Sequence, residues 1–185
     1  MIESLVVTLF PVLFLTVLFS SGEILRRKNI DMGGEPPIDR NLFSTSKYSI
    51  MIVWAAMVLR SWSIILPIEI TRMFKWPSLF LWISGFILLF IGRFGLGSSF
   101  RIGSPKEATH LKVDGLYRFS RNPMYVGVYS TLLASFLYTM NPLIFFIALF
   151  IIVVHHKIVL AEEQYLQKVF GEEYLQYCSR IRRYL

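Results

Sequence analysis

Residues 126–154 carry no acidic or basic side chain, and Asn141-Pro142 stands close to the centre of this apolar run. One helix needs only about 20 apolar residues to cross a bilayer, so the run is too long for a single span. An Asn-Pro pair favours a turn, and the residue before a proline is turned away from helix. The pattern predicts two helices in a hairpin. Each arm of the run alone measures roughly 20 Å against a bilayer core of about 30 Å. The arms must therefore extend through Tyr125 at one end and through His155-His156-Lys157 at the other. Both ends of the hairpin then return to the same side of the membrane.

Three further apolar blocks precede it, at about 5–20, 48–68 and 78–97, with Pro11 inside the first and Arg60 near the middle of the second. Proline in a membrane helix predicts a kink, and a charge at that depth has to face protein, water or a headgroup. The polar segments between blocks are rich in lysine and arginine: Arg26, Arg27, Lys28 and Arg40 in 22–46, and Arg101, Lys106, Lys112, Arg118 and Arg121 in 100–125. Positive loops stay in the cytoplasm. Charge and hairpin together predict an all-α, polytopic integral membrane protein of about five transmembrane helices, the last two a hairpin, followed by a cytoplasmic C-terminal helix. Its N-terminus lies outside and its C-terminus inside. We expect one membrane domain over 1–185, with three spanning helices and a cytoplasmic loop in 1–97. Residues 98–185 then hold a ligand-binding loop, the hairpin and the last helix. The first block lacks the positive flank of a signal peptide and is read as a retained helix. Gly92, Gly95 and Gly97 are expected at helix–helix contacts.

Composition agrees: 55% of residues are hydrophobic and mean hydropathy is +0.55, outside the range of ordinary soluble domains. A net charge of +7 is spread between apolar blocks rather than gathered into a basic arm, so no nucleic-acid partner is expected. The single cysteine, Cys178, rules out an internal disulfide framework or a thiolate cluster, and no metal is expected. Neither a lipidation box nor a Rossmann, P-loop, H-E-x-x-H or G-x-S-x-G run is present.

The chemistry is concentrated in Gly115-Leu116-Tyr117-Arg118-Phe119-Ser120-Arg121-Asn122-Pro123-Met124-Tyr125-Val126-Gly127. Asn122 suits an N-cap and Pro123 the first helical position, so a helix is expected to start there. A helix N-terminus beside Arg118 and Arg121 favours a carboxylate or phosphate. Tyr117 and Tyr125 present aromatic faces, which attract cations. The loop thus provides for both charges of a zwitterion. After the hairpin come Glu162-Glu163, with Leu166, and then Phe170-Gly171-Glu172-Glu173-Tyr174-Leu175-Gln176-Tyr177. A carboxylate here can accept hydrogen bonds from hydroxyl or ammonium groups. A break in the last helix is expected at Gly171, and the basic end at Arg180, Arg182 and Arg183 reads as an anchor to anionic lipid.

In combination these runs resemble the C-terminal half of the isoprenylcysteine carboxyl methyltransferase family and its bacterial membrane relatives. The resemblance rests on Gly115, Tyr117, Arg121, Asn122, Pro123, Tyr125, Gly127, Glu162, Glu163, Leu166, Phe170, Gly171, Tyr174 and Tyr177. It covers roughly the last eighty residues. It implies a membrane-embedded methyltransferase that uses S-adenosylmethionine, with cofactor contacts at His110, Leu111, Tyr117, Asn122, Pro123, Met124, Tyr125 and Glu162. Arg121, Glu163 and His156 are the expected catalytic set, with His155 a second histidine beside it. Methyl transfer is an in-line displacement governed by positioning and desolvation, so no covalent enzyme intermediate is expected.

In eukaryotic members an arginine for the substrate carboxylate stands four residues before the first glutamate; here that residue is Ile158. The expected acceptor is accordingly a lipophilic or small molecule offering a carboxylate, thiol or amine, with membrane lipid as surroundings. Two other readings share these features: an NADPH-dependent membrane reductase related to sterol reductases, and a non-catalytic lipid-binding membrane protein.

Overall fold

A computed structural model describes residues 1–27, 35–65, 71–97 and 110–185. Lys28, Arg101 and Lys106, singled out in the sequence, fall outside these. The described residues are helical: α1 (Ile2–Arg27), α2 (Arg40–Ser61), α3 (Arg72–Leu96), a short 3-10 helix (Gly115–Arg118), α4 (Pro123–Thr139) and α5 (Pro142–Arg180). Helices α1, α2, α3 and α5 are long and apolar enough to cross a membrane. The apolar α4 has 17 residues, and it packs against α2, α3 and α5. The protein is an all-α polytopic membrane protein.

The hairpin forms where the Asn-Pro pair predicts it. Met140 caps α4 in the left-handed region (φ 47°). Asn141 Oδ1 accepts from the amides of Leu143 at 2.8 Å and Ile144 at 3.4 Å, and Pro142 takes the first helical position. At 39 residues, α5 is about 58 Å long, nearly twice a bilayer core. Gly171 interrupts it at φ 52°, the break expected from sequence.

Three helix boundaries differ from the hydropathy blocks, each for a local reason. Helix α1 continues unbroken across Pro11 and out to Arg27, where Glu23 pairs with Arg26 and Arg27 one turn away. Asp39 starts α2 early by accepting from the Leu42 amide, and the helix ends at Ser61 before a turn at Trp62 and Ser63 (φ 58°). Arg60 therefore occupies the last turn of α2, where a cation opposes the helix dipole, rather than mid-span. Thr71 precedes α3, which begins at Arg72 and includes Pro77 in its second turn.

Aromatic rings fill the centre. Trp54, Trp82 and Phe86 lie in mutual contact with Phe14 between α1, α2 and α3. Buried indoles require acceptors: Trp54 donates to Thr131 Oγ1 at 2.9 Å and Trp82 to the Val7 carbonyl at 3.1 Å. The closest helix pair is α3–α4. A Cβ built on Gly85 would stand 2.8 Å from the Gly127 carbonyl oxygen, and one on Gly127 would stand 2.7 Å from that of Gly85. Two turns further along α3, a Cβ on Gly92 would collide with Met124. The expected glycine contact holds at Gly92, whereas Gly95 and Gly97 face open space.

Candidate functional site

The site lies where α4 begins, beside the middle of α5. Pro123 opens α4 as its first residue, as the sequence predicts, but the Asn122 side chain does not cap it. Instead its amide reaches the Arg183 carbonyl at 3.2 Å, while its backbone N–H donates to Ser120 Oγ at 3.1 Å. The helix end is left with its first amides unclaimed by that side chain, the arrangement that receives an anion.

On the first turn of α4, Tyr125 sends its hydroxyl to Glu162, 3.2 Å from each carboxylate oxygen. The Tyr125 ring also meets the Tyr129 ring at 6.4 Å and the edge of the His155 imidazole at 5.6 Å. Tyr117, on the 3-10 helix, is held through its carbonyl, which accepts from the Tyr177 hydroxyl at 2.7 Å. Burial pushes the Tyr117 phenol well above its ordinary range, with Tyr177 and Glu162 adding to the effect. It is a neutral aromatic face beside a carboxylate.

A second carboxylate has a different surrounding. Glu163 is gripped by two arginines: Arg121 Nη2 at 3.0 Å from Oε1, and Arg183 Nη2 at 2.9 Å from Oε2. The Arg121–Glu163 pair is nearly buried, with side chains 11% and 13% exposed. Arg121 spends its remaining donors on the carbonyls of Cys178 at 3.2 Å and Ile181 at 3.0 Å. Its backbone N–H donates to the Arg182 carbonyl at 2.9 Å. Its hydrogen bonds to Glu163 hold the Arg183 guanidinium above its already high ordinary pKa. The chain after α5 is thereby tied back over the start of α4. It places Tyr184 with its hydroxyl 2.8 Å from His156 Nδ1 and its ring 5.6 Å from that of Tyr129. So Arg183, expected in the lipid anchor, is part of an internal clamp, while Arg180 and Arg182 remain exposed.

The structure therefore gathers Tyr117, Arg121, Asn122, Pro123, Tyr125, His156, Glu162 and Glu163 in one place. Met124 turns away from them to pack under Gly92. His110 is exposed and Leu111 half-buried. Sequence reasoning missed Tyr129, Arg183 and Tyr184. Tyr129 had a signal, since it stands one helical turn after Tyr125. The last two had none, because a fold-back of the tail leaves no local pattern.

Residues 73–173 match the phospholipid methyltransferase family. The chain belongs to that family. It is a family of membrane methyltransferases related to the isoprenylcysteine carboxyl methyltransferases that the motifs resemble. The match begins at α3 and ends just past Gly171, so it takes in the α3–α4 crossing that the motifs did not reach. Neither curated proteins nor solved structures yield a match to this chain. For a phospholipid methyltransferase the site has a fitting location: Glu162 stands 20 residues into α5, or about 30 Å from its start, one bilayer core away.

Proposed function

We propose that this chain is an S-adenosylmethionine-dependent methyltransferase that methylates the amine of a phospholipid headgroup at the cytoplasmic face of the membrane. The Tyr125–Glu162 pair carries the reading. A carboxylate bonded to a phenol, with tyrosine faces around it, suits a ligand that brings an ammonium, a sulfonium and ribose hydroxyls. The backbone N–H groups of Met124 and Tyr125 offer the helix end that a carboxylate needs, since Pro123 has none and that of Asn122 is given to Ser120. The donor supplies an activated methyl group on a cationic sulfur. The protein's part is to hold that carbon in line with the acceptor and to keep water away.

Within this reading Arg121 and Glu163 are positioning residues. Their charges are spent on each other, on Arg183 and on tail carbonyls, and they fix Asn122 and Tyr184 at the edge of the site. His156 holds Tyr184 rather than a reactant. A carboxylate acceptor is disfavoured because Ile158, buried one turn before Glu162, puts a methyl where a cation would be needed. An amine lacks that requirement. The lysine- and arginine-rich loops favour the cytoplasmic placement.

Calorimetric titration of the detergent-purified protein with S-adenosylhomocysteine tests the donor half. Micromolar affinity is expected, weakened tenfold or more by Glu162→Gln, about 1.4 kcal/mol. Absence of binding in a folded, monodisperse sample would overturn the reading. Transfer of labelled methyl to phosphatidylethanolamine vesicles, compared with phosphatidylcholine vesicles, tests the acceptor half.

A further inference from the structure

His155 is a buried polar side chain that neither the clamp nor the donor contacts use. It is 6% exposed, and its Nδ1 is buried without a hydrogen-bond partner among the described residues. Burying a polar atom without a partner costs free energy, and such atoms are infrequent enough to require a reason. The imidazole stands edge-on to the Tyr125 ring, 5.6 Å between centroids, and Tyr125 binds Glu162 by its hydroxyl. Seven residues before Glu162, His155 lies on the same face of α5 two turns deeper in the apolar part of the helix. The next residue, His156, is committed to Tyr184. One histidine is occupied, while the other keeps a vacant nitrogen beside the site.

We infer that His155 is the catalytic base that takes a proton from the acceptor's headgroup ammonium. This rests on the phospholipid-amine reading above. An alkylammonium at neutral pH has no lone pair, so it cannot attack a methyl group until a proton leaves. With the ring's own proton on Nε2, the Nδ1 lone pair accepts that proton, giving imidazolium and a neutral amine. The amine nitrogen then forms its bond to the methyl carbon as the carbon–sulfur bond breaks. The positive charge passes from sulfur to the methylated ammonium, and the imidazolium later returns its proton to water. Glu162, bonded to Tyr125, is assigned to the donor and not to this transfer.

The test compares two acceptor lipids in vesicles: phosphatidylethanolamine, whose headgroup is an ammonium, and an aminooxy-headgroup analogue, which is already neutral at pH 7. With His155→Gln, methylation of phosphatidylethanolamine is expected to fall at least tenfold, while methylation of the aminooxy lipid stays within threefold of wild type. S-adenosylhomocysteine affinity is expected to stay within twofold. Equal losses with both lipids, or no loss with either, overturn the inference. Wild-type protein that binds S-adenosylhomocysteine but methylates neither lipid overturns the amine reading, and this inference with it. A second measurement does not depend on the folding of that variant. The chain has only 3 histidines, so nitrogen-15 histidine spectra can be assigned by elimination using His110→Gln and His156→Gln. Adding phosphatidylethanolamine bicelles to the S-adenosylhomocysteine-bound wild type should move the His155 Nδ1 resonance, and an unmoved resonance overturns the proposal.

Discussion

The two ends of the helix bundle are both polar, and they use polarity differently. At the end where α1, α3 and α5 begin, several polar groups are matched to others of the protein's own. Ser4 donates to the Ser61 carbonyl at 2.6 Å, Trp62 to Thr8 at 2.9 Å, and Tyr138 to Glu3 at 2.6 Å, with Lys75 completing the Glu3 ion pair. At the other end one carboxylate, Glu163, is matched as fully. Among the described residues, its sequence neighbour Glu162 has a single phenol, and the His155 Nδ1 deeper on the same face has no partner. Incomplete satisfaction inside a well-packed protein costs stability, and proteins tolerate it where a ligand completes the set. The first end is built to hold helices together. The second combines a rigid clamp with groups held ready for something else.

The comparison is broken most severely at the clamp. Glu163→Ala leaves the Arg121 guanidinium nearly buried without its carboxylate, and loss of one partner from a buried pair costs about 3 kcal/mol. For a chain of this length that lowers Tm by about 6–12 °C, read by thermal unfolding in detergent. S-adenosylhomocysteine affinity should fall as well, because the tail and Asn122 are released. A variant with unchanged Tm would show that the arginines are held by the tail carbonyls alone.

Next in size is Gly127→Val, placed where α3 and α4 cross. The first added carbon meets the Gly85 carbonyl at 2.7 Å and Leu89 at 3.1 Å. Backbone cannot rotate away as a side chain can, so the helices must separate, at about 2 kcal/mol. Gly127 is the last residue of the motif that carries Tyr125, yet it touches nothing in the site. Stability should therefore drop while the affinity of the folded fraction for S-adenosylhomocysteine changes by less than threefold.

These effects mark how far the sequence was legible. Features written locally came through: the Asn141-Pro142 turn, the start of α4 at Pro123 and the break at Gly171 each depend on residues within a turn of one another. The pairing of Tyr125 with Glu162 was reachable only through resemblance, because the partners are 37 residues apart and joined by a hairpin. Helix ends were misplaced where hydropathy was the guide, since α1 and α2 run past their apolar blocks on ion pairs and a side-chain cap. The ion pair of Arg121 with Glu163 was out of reach for a related reason. A basic residue in a loop reads as free charge until the tail that neutralises it has been folded back, and no periodicity announces Arg183 or Tyr184. The vacancy at His155 is also beyond sequence, because it depends on which nitrogens of two adjacent histidines find partners.

The smallest effect belongs to the self-satisfied end, and it is the one that sharpens the comparison. Glu3→Gln removes the charge that Lys75 and Tyr138 share but keeps an acceptor for the phenol. The Glu3 and Lys75 side chains are 27% and 32% exposed, so water screens much of the attraction and the loss should be about 0.5 kcal/mol. That corresponds to a Tm shift of about 1–2 °C. Because this end contacts none of the proposed binding groups, S-adenosylhomocysteine affinity and methyl transfer should both match wild type. A tenfold change in either, with Tm nearly unchanged, would mean that the ends are coupled through the α3–α4 crossing. The division of labour between holding and binding would then have to be abandoned.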